Sequence, residues 1–225
     1  MFRLPALRTT GGLVLALACT LGALAPADAP GTPSWQGSPD VTPHAYRWLN
    51  DFRPADTYAI TVVRGATKKQ VLRRLGVVRT ELGDLTHQQA SEYAQNRMNG
   101  WGFPRVIQVT KLGPAVVVFE PWTARGFFKA HRLTRRARLA SFITDVDLDT
   151  YVKVEKHQTR IRAFDPLFRP PRQGALPQEQ GLHFGARHSN VFAQSWAFLE
   201  RITLIHLSRA WINEPHPTYV FRGRN

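Results

Sequence analysis

Residues 58–76, YAITVVRGATKKQVLRRLG, decide how this chain is read. The first seven, Tyr58 to Arg64, are rich in β-branched side chains and bounded by Asp56 and Gly65, the composition of a buried strand. Thr67-Lys68-Lys69-Gln70 then matches a capping box, in which the threonine oxygen accepts from the amide three residues on. Val71, Leu72 and Leu75 form one apolar face, and Gly76 supplies the stop. A strand that turns at once into a short helix predicts a mixed fold.

Working outward, Thr86-His87-Gln88-Gln89 repeats the capping device and predicts a second helix to residue 95. Upstream, residues 45–52 place Tyr46, Trp48, Leu49 and Phe52 where a short helix buries them. Downstream, residues 105–111 and 115–120 read as strands flanking a Leu112-Gly113-Pro114 turn. Residues 139–146, 151–154 and 159–165 read as further strands, and 127–133 as a helix. A Pro-rich loop over 166–180 leads to a long, largely buried helix over 190–208, with a narrow polar stripe of Asn190, Gln194, Arg201 and Ser208. Consecutive strands with short links favour antiparallel pairing. The expected class is α+β, a mostly antiparallel sheet of about five or six strands packed by three to five helices, the long C-terminal one included.

The N-terminus reads as an address. Arg3 and Arg8 precede an uncharged, Leu- and Ala-rich run over residues 12–24, shorter than the ~20 apolar residues a permanent span needs. Ala25-Pro26-Ala27 fits the small-x-small pattern of a cleavage site, so residues 1–27 are expected to be a secretory signal peptide. Two other readings stand beside cleavage: lipidation of Cys19 in Ala16-Leu17-Ala18-Cys19, and retention as an uncleaved anchor. Residues 28–43 are a Pro-, Gly- and Ser-rich spacer expected to pack against nothing, and 44–225 a single globular domain. A secreted or cell-surface protein is the expectation. The one cysteine falls in the leader, which excludes disulfides, thiolate nucleophiles and cysteine metal ligands from the remainder.

The charge is lopsided, with 30 Lys and Arg against 16 Asp and Glu and a formal net charge of +14. Such a balance suits an anionic polymer or a membrane surface. A solvated arginine-rich surface with no specific partner accounts for the same number. The densest basic run is 129–138, KAHRLTRRAR, and Lys129, Arg132, Arg135, Arg136 and Arg138 are the candidate contacts for an anionic partner. Specific nucleic-acid recognition would need exposed stacking aromatics besides, and is not expected.

Several of these segments resemble an actinobacterial domain family of unknown function. The resemblance rests on the strand ending in Arg64-Gly65, the Leu72-Arg73-Arg74-Leu75-Gly76 helix, Val116 to Trp122, and Phe164-Asp165-Pro166 followed by Arg172-x-Gly174 and Pro177. It spans most of residues 44–212. Glu155-Lys156-His157-Gln158 departs from the Gly turn usual in relatives, and the signal is less usual among them. The resemblance implies no activity, cofactor or catalytic residue.

Candidates for chemistry are sparse. Asp145, Asp147 and Asp149 alternate, which on a strand would put three carboxylates on one face, but the calcium-loop pattern fails at Thr150, where a glycine is needed, and at Lys156, where a glutamate is. Glu120 paired with Asp145 or Asp147 would form an acid–base couple for glycoside cleavage, with Trp122 beside it for sugar stacking; this exported-hydrolase reading is the alternative to a non-catalytic binding domain. His183 and His188 fit no zinc spacing, and His206 is expected in the core of the last helix with its ring satisfied. Nucleophile elbow, phosphate loop and H-E-x-x-H motifs are absent, and no metal or cofactor is expected.

Overall fold

The computed structural model describes residues 40–50, 56–77, 81–97, 105–147, 149–187 and 190–220. Every described residue belongs to one compact unit, Trp35–Asn225. The leader with its cleavage site and Cys19, most of the spacer, and Phe52 lie outside the described residues.

Eight strands form one sheet: β1 (Tyr58–Arg64), β2 (Glu81–Leu85), β3 (Val106–Leu112), β4 (Ala115–Pro121), β5 (Arg138–Thr144), β6 (Thr150–Lys156), β7 (Thr159–Phe164) and β8 (His216–Val220). Their order is β2-β8-β3-β4-β1-β5-β6-β7, and every pair is antiparallel. The α-helices are α1 (Lys68–Leu75), α2 (His87–Gln95), α3 (Arg125–Phe128), α4 (Ala130–Leu133), α5 (Val191–Thr203) and α6 (Arg209–Asn213), with 3-10 turns at Pro43–Asn50 and Pro177–Glu179.

β1 lies between β4 and β5, and both of its faces pack into hydrophobic clusters, so its apolar run need not alternate with polar residues. Its register sorts the core. Tyr58, Ile60 and Val62 join Phe119, Phe142 and Val154 under α5, where Tyr46, Trp196, Phe198 and Leu199 complete an aromatic layer. Val63 faces the opposite way, with Val116, Val118 and Leu139, against Val71 and Leu75 of α1 and Ala130 and Leu133 of α4. The sheet is therefore covered on both faces.

Both capping boxes form as the sequence predicts, with Thr67 accepting from Gln70 and Thr86 from Gln89, each at 3.2 Å. Gly76 takes φ 75°, and the amides of Gly76 and Val77 close on Arg73 and Leu72, a Schellman stop. The antiparallel α+β expectation holds, but the element count was too low. β2 was missed because its pairing with β8 leaves it mostly exposed and without apolar alternation. β8 carries Pro217, which pairs with Asp84 of β2 and lies outside the β3 ladder of Val106–Gln108 with Val220–Thr218.

The helix expected over 190–208 ends at Thr203, because Leu204 turns left-handed at φ 58° and Ser208 caps α6 by accepting from Trp211. His206 therefore lies beyond the helix with its side chain 49 % exposed, bonded to Glu200 rather than buried in the core. Two of the stripe residues, Gln194 and Arg201, are buried, and Arg201 donates to the carbonyls of Val41, Gln178 and Gln180. That need for acceptors draws Val41, the end of the expected free spacer, onto the core.

Candidate anion-binding face

Helices α1, α3 and α4 cover one face of the sheet, and the chain that forms them carries no carboxylate. No Asp or Glu occurs over residues 57–80 or 121–144. Two arginines stitch the helices together through helix-terminal carbonyls: Arg125 Nε donates to Leu75 O at 2.7 Å, and Arg74 Nη1 to Leu133 O at 2.8 Å. Cations at helix C-termini answer the negative end of the macrodipole. The remaining cations point outward. Lys69, Arg73, Arg132, Arg135 and Arg136 are exposed and Lys129 is half-buried; none forms an ion pair among the described residues.

These charges are close enough to feel one another. Lys129 is pulled below the usual lysine range by desolvation and then by Arg125, Arg132 and Arg105. Arg125 is lowered by desolvation and Arg105, with only Glu120 opposing. The basic run of 129–138 is thus one part of a larger surface, and Lys68, Lys69 and Arg73 are its missed half. The signal for them was the acid-free window, not local density.

Arg138 does not belong with the others. Its register partner on β1 is Arg64, whose guanidinium reaches Thr203 O on α5 at 3.0 Å, so Arg138 lies on the α5 side of the sheet. Alternation along β5 decides this, and a run of basic letters hides it.

Beside α1, a groove of about 730 Å³ has Leu72, Val77 and Tyr219 among its lining and Lys68, Lys69 and Arg73 at its rim. Lys68 Nζ stands 5.4 Å from the Tyr219 ring centroid. A Cβ on Gly76 would come within 3.3 Å of Arg125 Nη2, which joins the groove to α3.

α3 is pinned from beneath at consecutive residues. Gly126 N–H donates to Glu120 Oε2 at 2.6 Å, and Lys153 Nζ donates to the Phe127 carbonyl while lying 4.1 Å from the Phe127 ring centroid. A side chain at Gly126 would stand 2.8 Å from Glu120 Oε2, so glycine permits this approach. The next residue, Phe128, is left 69 % exposed between Arg125, Lys129 and Arg132.

Glu120 is fully buried, and desolvation pushes its carboxyl up to about 7 against the opposing Gly126 and Arg125 bonds. Its Oε1 finds no hydrogen-bond partner among the described residues. Asp145 is not beside it: β5 ends at Thr144, and Asp145 Oδ1 accepts from the amides of Asp147 and Asp149, holding the β5–β6 turn. Asp147 is exposed on that turn. The aspartates therefore lie on a turn and not along one strand face. Trp122 donates its indole N–H to Ser91 at 2.9 Å.

A buried histidine pair on the α5 side also escaped the sequence reading. His87 stacks on Phe119 at 4.1 Å and on His216 at 4.9 Å, bonded to Gln108 through Nδ1. Burial, then His216, holds His87 down at about 3 against the Gln108 bond. No group of three His, Cys, Asp or Glu able to hold a metal ion occurs among the described residues. No helix among them is long and apolar enough to cross a membrane. No family model, curated protein or solved structure matches the chain.

Proposed function

We propose that the chain is an exported, non-catalytic binding domain that attaches to an anionic partner through the face formed by α1, α3 and α4. The observation that carries this reading is the one-sided charge: adjacent helices bear outward cations, and their segments bear no carboxylate. Such a surface raises the local concentration of anions and speeds their capture. Export rests on the charged-then-apolar order of residues 1–27, with cleavage after Ala27 ahead of lipidation at Cys19 and retention as an anchor. The hydrolase reading is weaker, because Glu120 is committed to Gly126 beneath α3 and Asp145 to its turn.

Retention on immobilised dextran sulfate across a salt series tests the reading. Replacing Lys69, Arg73 and Arg132 together by Gln should cut affinity at low salt by roughly 100-fold, at ~1 kcal/mol per cation near an anionic surface. The salt slope should become shallower. Replacing the exposed Arg169, Arg172 and Arg209, which lie off this face, makes the same charge change and should leave most of the affinity intact. Equal losses in the two triple variants would reduce the effect to net charge and remove the binding face.

A further inference from the structure

We infer that the anionic partner is a lipid bilayer surface, entered by Phe128 while the surrounding cations engage headgroups. This rests on the anionic-partner reading and goes further by naming the kind of surface.

The argument begins with the cost of Phe128. A phenylalanine ring left 69 % exposed forgoes the stabilisation that burial would give, and this one sits where burial was close at hand. Its neighbour Phe127 is held by Lys153 from β6, and Gly126 is held by Glu120 from β4. Those two anchors fix α3 against the sheet and leave residue 128 directed away from it. An outward ring on a pinned four-residue helix is a rigid projection, with little side-chain entropy to lose on insertion.

Its surroundings select the partner. Arg125, Lys129 and Arg132 precede and follow it, and α1 continues the charge through Lys69 and Arg73. An apolar tip inside a ring of cations is the chemistry of an interfacial anchor: the ring enters the headgroup and acyl boundary while the cations pair with anionic lipids. The groove beside α1 extends the same amphipathic character, apolar at Leu72, Val77 and Tyr219 and cationic at its rim. A soluble polyanion would engage the cations and leave both apolar features in water. Single-stranded nucleic acid would stack on a row of aromatics, whereas Phe128 is the one large hydrophobic residue exposed on α1, α3 and α4 among the described residues; Tyr151 and Ile161 are exposed on the same side of the sheet, but at its far β6–β7 edge.

The test uses residues 35–225, the compact unit that contains every described strand and helix and its own core. Sedimentation with phosphatidylglycerol–phosphatidylcholine vesicles, with pure phosphatidylcholine vesicles, and retention on dextran sulfate and on single-stranded DNA form the arms. The expected result is binding to the anionic vesicles and not to the neutral ones. Phe128→Ala should lower vesicle partitioning roughly tenfold and leave dextran sulfate retention unchanged. Phe128→Cys provides a unique thiol, since Cys19 lies outside this unit. A polarity-sensitive fluorophore attached there should shift to the blue on anionic vesicles only.

Vesicle binding that ignores Phe128→Ala and leaves the fluorophore unshifted overturns the inference, as does dextran sulfate binding without vesicle binding; in both cases the anionic-partner reading survives. Binding to DNA that depends on Phe128, without vesicle binding, replaces the bilayer by nucleic acid. Binding to none of the anionic probes sinks both readings together.

Discussion

The two faces of the sheet are built from different materials. Under α5 the chain packs Tyr46, Trp196, Phe198, Phe119 and Phe142 into one layer, and even an arginine, Arg201, is buried there with its donors answered by backbone carbonyls. Under α1, α3 and α4 the core is mostly aliphatic; Lys153 is buried beneath α3 beside Glu155, and the helices' outward cations stand outside it. The difference teaches a division of labour: the aromatic face holds the fold, which frees the other to carry repelling charges that add nothing to stability. Removing Trp196, which packs edge-on to Tyr46 at 5.9 Å and Trp48 at 5.6 Å, should therefore have the largest effect. Trp196→Ala should lower unfolding free energy by roughly 3–5 kcal/mol, and Val71→Ala on the opposite face by roughly 2 kcal/mol. Urea melts followed by circular dichroism would break the comparison if Val71→Ala proved the costlier change.

What could be read in advance divides along the same physical line. Thr67 and Thr86 announced their helices because a capping box is satisfied within four residues. The hairpin at Gly113, at φ 54°, was equally local. Nothing local marks Glu81–Leu85 as a strand; it becomes one when His216–Val220 returns from the far end of the chain to lie beside it. The candidate face was half visible for the same reason. Arg132 and its neighbours form a run, but their union with Lys69 and Arg73 depends on Arg74 and Arg125 bridging α4, α3 and α1. Strand alternation then removes Arg138, and no sequence density could have told it from Arg136.

Two of the buried titratable groups, Glu120 on one face and His87 on the other, have effects on stability that oppose. Glu120 binds its proton more tightly folded than unfolded, so its contribution is full at acid pH and is lost as pH rises from about 4.5 to about 7. His87 is held neutral when folded, so stability falls as pH drops from 6.5 toward about 3. Between about 4.5 and 6.5 the two slopes, each ~1.4 kcal/mol per pH unit, run against each other and nearly cancel. Glu120→Gln should unmask the histidine, giving stability that rises with pH across that window by roughly 3 kcal/mol. His87→Gln should unmask the glutamate and reverse the sign. Chemical denaturation of both variants at pH 4.5, 5.5 and 6.5 reads the slopes directly, and parallel profiles would mean that these groups do not govern the window.

The smallest effect separates stability from binding most cleanly. Thr67→Ala and Thr86→Ala remove the same capping box from helices on opposite faces, and each should cost ~1 kcal/mol. The first turn of α2 has a second tether, since His87 is buried against Phe119 and bonded to Gln108. The first turn of α1 has the exposed Lys69 and Lys68, whose only contact here is its place over the Tyr219 ring. Fraying should therefore release those two lysines in Thr67→Ala and weaken retention on dextran sulfate several-fold at low salt, at an energetic cost to the fold shared by Thr86→Ala. Thr86→Ala should retain as the unsubstituted chain does. If both variants lose equal stability and equal retention, binding tracks the fold as a whole, and the charged face has no independence from the aromatic one.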